Sequence, residues 1–220
     1  MSTKQCGRLL IGVTASIHCV HLIAYLERFR DFAESVDILM SEAAARMYPP
    51  RILSAFTGQP VVTDWWADDG SAPHIRLPRE CDLFLVLPAT ANSLCKIAHG
   101  ISDTLVTAAV AASPRPVVLA PAMNGKVWET PPVIRAVDQI RADGHYVIDP
   151  QPGFSVTEKK QDAGMGPSPD LVMTHIRHVN SRRLAQAYFA EATATPARTP
   201  SSLKPGTVNL KIDTRKTVDA

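Results

Sequence analysis

Three short segments place small and hydroxylated residues where an apolar run gives way to a helical pattern, a position suited to polar or anionic ligands. Gly12-Val13-Thr14-Ala15-Ser16 follows the apolar run Leu9-Leu10-Ile11. Glycine lets backbone approach a ligand closely, and hydroxyls beside a helix N-terminus act with free N–H groups to bind phosphate. Thr and Ser also cap helices with no ligand present, so this segment alone leaves both possibilities open. It lacks the G-x-G-x-x-G spacing of a dinucleotide fingerprint, which disfavours a nicotinamide cofactor. Leu87-Pro88-Ala89-Thr90-Ala91-Asn92-Ser93 repeats the pattern after Leu83-Phe84-Leu85-Val86. Its Asn92 and Ser93 can bond a ring or a polyol chain, or merely cap the following helix. Ala120-Pro121-Ala122-Met123-Asn124 ends a further run, with Trp128 shortly after. An asparagine amide at a strand end can donate to a carboxylate, although Asn and Pro are also common in turns. His74, within Ala72-Pro73-His74-Ile75-Arg76-Leu77, is the remaining acid–base candidate, and a lone histidine more often packs than reacts.

Other chemistry-bearing residues point less clearly. His18, Cys19 and His21 crowd one helix start, but no distant partner completes a metal site, and none is expected. Trp65 and Trp66 precede His74 and suit a subunit interface better than a substrate pocket. Lys159 and Lys160 are ordinary loop charges that could also steer an acidic peptide. The four cysteines, Cys6, Cys19, Cys81 and Cys95, form no C-x-x-C pair; three sit in apolar surroundings, and buried free thiols of a reducing cytoplasm are expected.

The elements that must position these residues alternate between short apolar runs and helical spacing, the pattern of a parallel sheet covered on both faces. Strands are expected at Leu9–Val13, Val36–Met40, Leu83–Leu87, Val117–Ala120 and Tyr146–Ile148. Helices are expected at Ile17–Phe29, from Ala43 to Met47, and at Thr90–Ala98, Asp103–Ala112, Pro131–Asp143 and Pro169–Phe189. Pro150 to Ser168 reads as a long irregular loop rich in Gly and Pro, of a kind that often serves as a lid. Thr, Pro, Ser and Lys dominate after Ala190, so residues 191–220 are expected as a disordered tail behind a domain of residues 1–190.

Composition narrows the function classes. The 220 residues are 45% hydrophobic, enough for a sizeable core, and a net charge of +2 gives no electrostatic case for nucleic acid or a membrane surface. No apolar stretch approaches the ~20 residues of a membrane span, and no signal peptide is recognised. A soluble cytoplasmic protein is expected.

In order along the chain, Gly12–Ser16, His74–Leu77, the block LPATANSLCKIAHGISDTL from Leu87 and the block PAMNGKVW from Pro121 resemble the homo-oligomeric flavin-containing cysteine decarboxylases. That family includes phosphopantothenoylcysteine decarboxylase and the peptidyl-cysteine decarboxylases of lantibiotic and aminovinyl-cysteine pathways. The resemblance runs from about Arg8 to Ser168. It implies a flavodoxin-like (Rossmann-type) doubly wound α/β/α domain that binds FMN, with FAD as the alternative. It further implies trimers or a dodecamer built of trimers. His74 would be the active-site histidine and Asn124 the residue holding the substrate carboxylate. Met123, Thr157 and Met165 would face substrate. Gly12, Thr14, Ser16, Ser41, Thr90, Ala91, Asn92, Ser93 and Ala122 would contact flavin, with Asp103 near the cofactor and a subunit contact.

The chemistry accords with so small a set. Direct loss of CO₂ from cysteine leaves a carbanion with no electron sink. Two-electron oxidation of the Cβ–S unit gives a thioaldehyde whose C=S group lies β to the carboxylate and accepts its electrons, leaving an enethiolate. The protein must then orient the thiol, hold the carboxylate and manage one proton.

One departure separates the branches. The coenzyme A enzymes carry a cysteine in a CGD-type motif of the last loop, where it takes part in reducing the enethiol. Ser155 to Gly166 contains none. The reaction is therefore expected to stop at the enethiol, with flavin reoxidised by oxygen, on a partner peptide ending in cysteine. The alternatives are a phosphopantothenoylcysteine decarboxylase and a non-catalytic regulatory relative. A flavin prenyltransferase shares the fold, but the His74 and Asn124 pair argues against it.

Overall fold

The central strand β1 (Cys6–Val13) shows why the sheet is covered on both faces. Leu9, Ile11 and Val13 enter one apolar cluster and Leu10 the other, as alternate side chains of a strand must. Strand β4 (Leu83–Ala89) repeats this, with Leu83, Leu85 and Leu87 on the first side and Phe84 and Val86 on the second. The structure is a computed structural model and describes residues 4–66, 70–155, 158–164 and 166–194.

With β2 (Ala33–Met40), β3 (Val61–Val62), β5 (Val118–Pro121) and β6 (Tyr146–Val147), these strands form a six-stranded parallel sheet in the order β3-β2-β1-β4-β5-β6. The first face is covered by a 3₁₀ turn (Ile17–His21), α1 (Leu22–Phe32), α2 (Glu42–Met47), α3 (Pro50–Thr57) and the start of α9 (Pro169–Ala194). The second carries α4 (Pro73–Glu80), α5 (Ala91–Ala98), α6 (Leu105–Ala111) and α8 (Pro131–Ala142). A single turn, α7 (Gly125–Trp128), follows β5. The expected flavodoxin-like doubly wound class is what forms. Because the chain leaves β1 toward one face and β4 toward the other, a crevice opens between their C-terminal ends.

Several elements differ from the sequence expectation for identifiable reasons. The segment after Ser16 opens as 3₁₀, with Cys19 N–H bonded to the Ser16 carbonyl, before α1 begins. Helix α3 starts with Pro50 at its first turn and ends before Gly58, signals that were present but unread. Helix α4 was hidden by Pro78 inside it, a residue that normally breaks helices. The stretch expected as irregular contains an antiparallel pair, β7 (Gly153–Ser155) and β8 (Lys160–Asp162). The described residues up to Arg183 form one compact unit, and those from Leu184 belong to a second, in which α9 continues to Ala194, beyond the expected end at Phe189. Among the described residues, no helix is long and apolar enough to cross a membrane.

Gly12 sits where β1 meets α6. A Cβ there would lie 3.0 Å from Val106 Cγ1 and 3.3 Å from Phe84, so its small size serves packing on the second face. Gly12→Val is expected to cost ~1–3 kcal/mol by overpacking. Urea unfolding measures this, and an unchanged midpoint would show that α6 yields freely.

Candidate active site

The ends of β1 and β4 are joined by side-chain hydroxyls. Thr14 Oγ1 donates to the Pro88 carbonyl at 2.7 Å and accepts from Thr90 N–H at 3.1 Å. Thr90 caps α5 by accepting from Ser93 N–H at 3.2 Å, and the two hydroxyls lie 3.0 Å apart. Ser41 caps α2 in the same way, accepting from Ala44 N–H at 3.2 Å. These caps leave the first N–H groups of each helix without intrahelical partners, a common basis for binding anions.

A cavity of about 400 Å³ lies over this seam, and Thr14, Ser41, Thr90, Asn92, Ser93 and Asp103 all line it. Sequence reasoning missed Arg46 and Lys96, the two cations at the cavity wall. Each is paired, Arg46 with Glu42 at 2.6 Å and Lys96 with Asp103 at 2.7 Å. Lys96 falls four residues after Asn92, on the same helix face, and that spacing was a usable signal. Trp65 also lines the cavity, where the sequence suggested an interface role. The volume lies within the ~300–1,000 Å³ of small-molecule sites. Neutral hydroxyls, an amide, helix starts and paired cations suit a phosphate-bearing, uncharged-ring cofactor such as a flavin mononucleotide.

Four of the expected cofactor contacts do not line this cavity. Gly12 packs on Val106, as described above. Ser16 caps the 3₁₀ turn and donates to the Ala122 carbonyl at 3.2 Å, tying the end of β1 to that of β5. Ala122 and Ala91 are the remaining pair, Ala122 N–H bonding the Ala89 carbonyl at 3.0 Å.

Asn124 caps α7, its Oδ1 accepting from Lys126 N–H at 2.9 Å. That leaves Nδ2 to donate outward, and Glu158 Oε1 lies 3.5 Å away. Met123 is partly buried beside the second core cluster. His74 lies in the first turn of α4, its ring edge-on to Trp65 with centroids 5.0 Å apart. Its Nδ1 is buried and has no hydrogen-bond partner among the described residues. A buried polar atom without a partner typically costs ~1–3 kcal/mol. No hydrogen bond joins His74 to Asn124 among the described residues. Thr157 and Met165 lie outside the described residues.

Beneath the β7–β8 hairpin, the hydroxyl of buried Tyr25 donates to the Pro167 carbonyl and lies 2.7 Å from His18 Nε2. Cys6, Cys19 and Cys81 are buried, and burial is the main cause raising each thiol, Cys6 to about 12 and Cys81 to about 11. These three are thus not poised as thiolates. Among the described residues, no cluster of His, Cys, Asp or Glu could hold a metal ion.

A doubly wound sheet with a hydroxyl-lined cavity at its switch point defines a domain that binds a phosphate-bearing cofactor. The chain belongs to the Flavoprotein family, whose model matches residues 2–180, and within it to the flavin-dependent cysteine decarboxylases. Mersacidin decarboxylase of Bacillus sp. (strain HIL-Y85/54728) is 33% identical over 143 residues, or 65% of this chain and 73% of that protein. The coenzyme A biosynthesis bifunctional protein CoaBC of Mycobacterium bovis is 30% identical over 181 residues, 82% of this chain. The chain spans only 43% of the length of that relative. The FMN-dependent cysteine decarboxylase SpaF superposes with a TM-score of 0.71 at 33% identity, covering 80% of this chain and 97% of that one. An EpiD variant complexed with the substrate peptide DSYTC gives 0.69 at 26% identity, covering 77% and 97%.

Burial of His18, which packs against Tyr25, gives the fold an acid response. Burial, with His21 beside it, pushes the His18 imidazole down from 6.5 to about 4. Above pH 6.5 neither state is charged, and as pH falls toward 4 the unfolded chain takes up a proton that the native state refuses. Stability is therefore full at neutral pH and is lost through that window, by on the order of 3 kcal/mol at most. His18→Gln is expected to flatten the fall of Tm between pH 6.5 and 4. An unaltered slope would assign the acid response to other groups.

Proposed function

We propose that this chain is an FMN-dependent oxidative decarboxylase of the C-terminal cysteine of a ribosomally made precursor peptide, releasing a peptidyl aminoenethiol. The observation that carries the choice of substrate is the absence of any cysteine from Ser155 to Gly166, where a branch that reduces its product needs a thiol. The peptide-bound EpiD variant and mersacidin decarboxylase, both similar to this chain, support the same choice. Similarity to CoaBC supports the second reading, a phosphopantothenoylcysteine decarboxylase.

Thr14, Ser41, Thr90, Asn92 and Ser93 would hold the cofactor's phosphate and polar chain. Bound flavin supplies the two-electron oxidation of the substrate Cβ–S unit. Asn124 holds the free carboxylate through Nδ2, the half of its amide not committed to capping α7. His74 moves the proton at the substrate sulfur, its buried Nδ1 being unspent on the protein. Identical subunits assemble in this proposal as trimers or as a dodecamer built of trimers.

A peptide ending in cysteine should lose CO₂ together with two hydrogens, roughly 46 Da by mass spectrometry, as expected for oxidative chemistry with a flavin acceptor. The same peptide with an amidated C-terminus should be inert. Loss of CO₂ alone, with preference for phosphopantothenoylcysteine, would select the second reading.

His74→Asn and Asn124→Asp should each keep flavin bound while lowering turnover by at least ~100-fold, the scale of a lost proton-transfer or orienting group. Loss of flavin or of folding in both variants would make these residues structural.

A further inference from the structure

The hairpin strand β8 is fastened to the Asn124 loop by contacts that the chemistry above does not use. Gly125 N–H donates to Asp162 Oδ2 at 2.8 Å, and the other oxygen of that carboxylate accepts from Ala163 N–H at 2.9 Å. Met123 N–H donates to the Gly164 carbonyl at 2.8 Å. Asp162 and Gly164 therefore grip the residues on either side of Asn124. Two glycines permit so close an approach. A Cβ on Gly125 would collide with the Asp162 carboxylate, and one on Gly164 with the Met123 carbonyl.

Helix α7 is four residues long and gains little from its own hydrogen bonds. The orientation of its cap must therefore come from outside. A charged acceptor on the first helical N–H makes a short, strong bond and also complements the helix start. With Gly125 held, Asn124 Oδ1 reaches Lys126 N–H and Nδ2 is turned toward the hairpin side.

We infer that Asp162 is a positioning residue, whose carboxylate fixes the Gly125 amide so that docking of the hairpin and presentation of Asn124 Nδ2 to a substrate carboxylate become one event. The inference rests on the role proposed for Asn124. It assigns Asp162 no contact with substrate.

Binding of a peptide ending in serine tests this without turnover, because the carboxylate is kept and the reacting thiol is removed. Its affinity for flavin-loaded, full-length protein is measured by calorimetry beside that of its C-terminal amide. The wild type should prefer the acid, and Asp162→Ala should reduce the acid-to-amide ratio about 10-fold, the scale of a displaced orienting group. Asp162→Asn, whose single acceptor oxygen can take the Gly125 N–H but not the Ala163 N–H as well, should recover part of it. In an Asn124→Ala background, Asp162→Ala should change the ratio no further, since coupled residues are not additive. A ratio unchanged in Asp162→Ala, or an equal fall in both backgrounds, overturns the inference and leaves the proposed function standing. A wild type with no preference for the acid removes the Asn124 role and this inference together. Should Asp162→Ala fail to fold, the cycle is read from Asp162→Ser, with the same outcomes.

Discussion

The site depends on the seam between β1 and β4. The two strands run parallel, in register from Leu9 with Leu83 to Gly12 with Val86, and the ladder must end where their connections turn to opposite faces. Beyond that point β1 still pairs with β2 at Val13 and β4 with β5 at Ala89, but between β1 and β4 one long backbone bond remains, from Thr14 N–H to the Pro88 carbonyl at 3.3 Å. The Thr14 side chain reinforces that bond by donating to the Pro88 carbonyl, and it supplies the acceptor for Thr90 N–H. One buried hydroxyl thus closes the sheet at the place where a ligand can enter. A valine of the same shape would leave the Thr90 N–H unmet and the Pro88 carbonyl with only its longer bond from the Thr14 N–H at 3.3 Å, a cost that buried polar atoms rarely bear. Thr90 and Ser93 then extend the same hydroxyl network to the start of α5.

A second system lies on the β5 side of the site and is built on backbone proximity. Ser16 ties β1 to Ala122, the next residues form the Met123–Gly125 loop, and the hairpin lies on that loop with no room for a Cβ at Gly125 or Gly164. The first system gathers groups that suit a cofactor. The second leaves a single amide, Asn124 Nδ2, directed outward. The two meet through Ala122, whose N–H bonds Ala89 at the end of β4.

How much of this was legible in the sequence depended on the range of the causes. The strands from Leu9, Val36, Leu83 and Val117 were readable because burial on both faces requires unbroken apolar runs, a local signature. Thr14, Thr90, Asn92 and Ser93 were readable because caps and strand ends are local too, Ser41 came only through the family resemblance, and the cavity gathers all five. Asp103 joins them through its pair with Lys96, a helix-face partner that the spacing could have supplied. Helix α4 was obscured because Pro78 outweighed its neighbours. The grip of Asp162 on Gly125 and the Tyr25–Pro167 bond join residues 37 and 142 positions apart, and no local pattern announces them. Nor could any local pattern have shown that Gly12 faces Val106 instead of the cavity.

The choice of an amide at position 124 has a physical logic in the proposed reaction. Decarboxylation moves negative charge off the carboxylate and toward the sulfur. A cation on the carboxylate would stabilise the starting state more than the transition state, and so slow the step. A neutral amide can fix orientation with far less of that penalty. The nearby cations are arranged accordingly, since Arg46 and Lys96 belong to the cofactor cavity and are neutralised by Glu42 and Asp103. On the hairpin, Lys160 lies 3.8 Å from Glu158, which moderates its charge beside Asn124 Nδ2. In the proposed reaction the substrate carboxylate takes up the Nδ2 donor that Glu158 faces at 3.5 Å, a neutral group that holds it without opposing the departure of its charge.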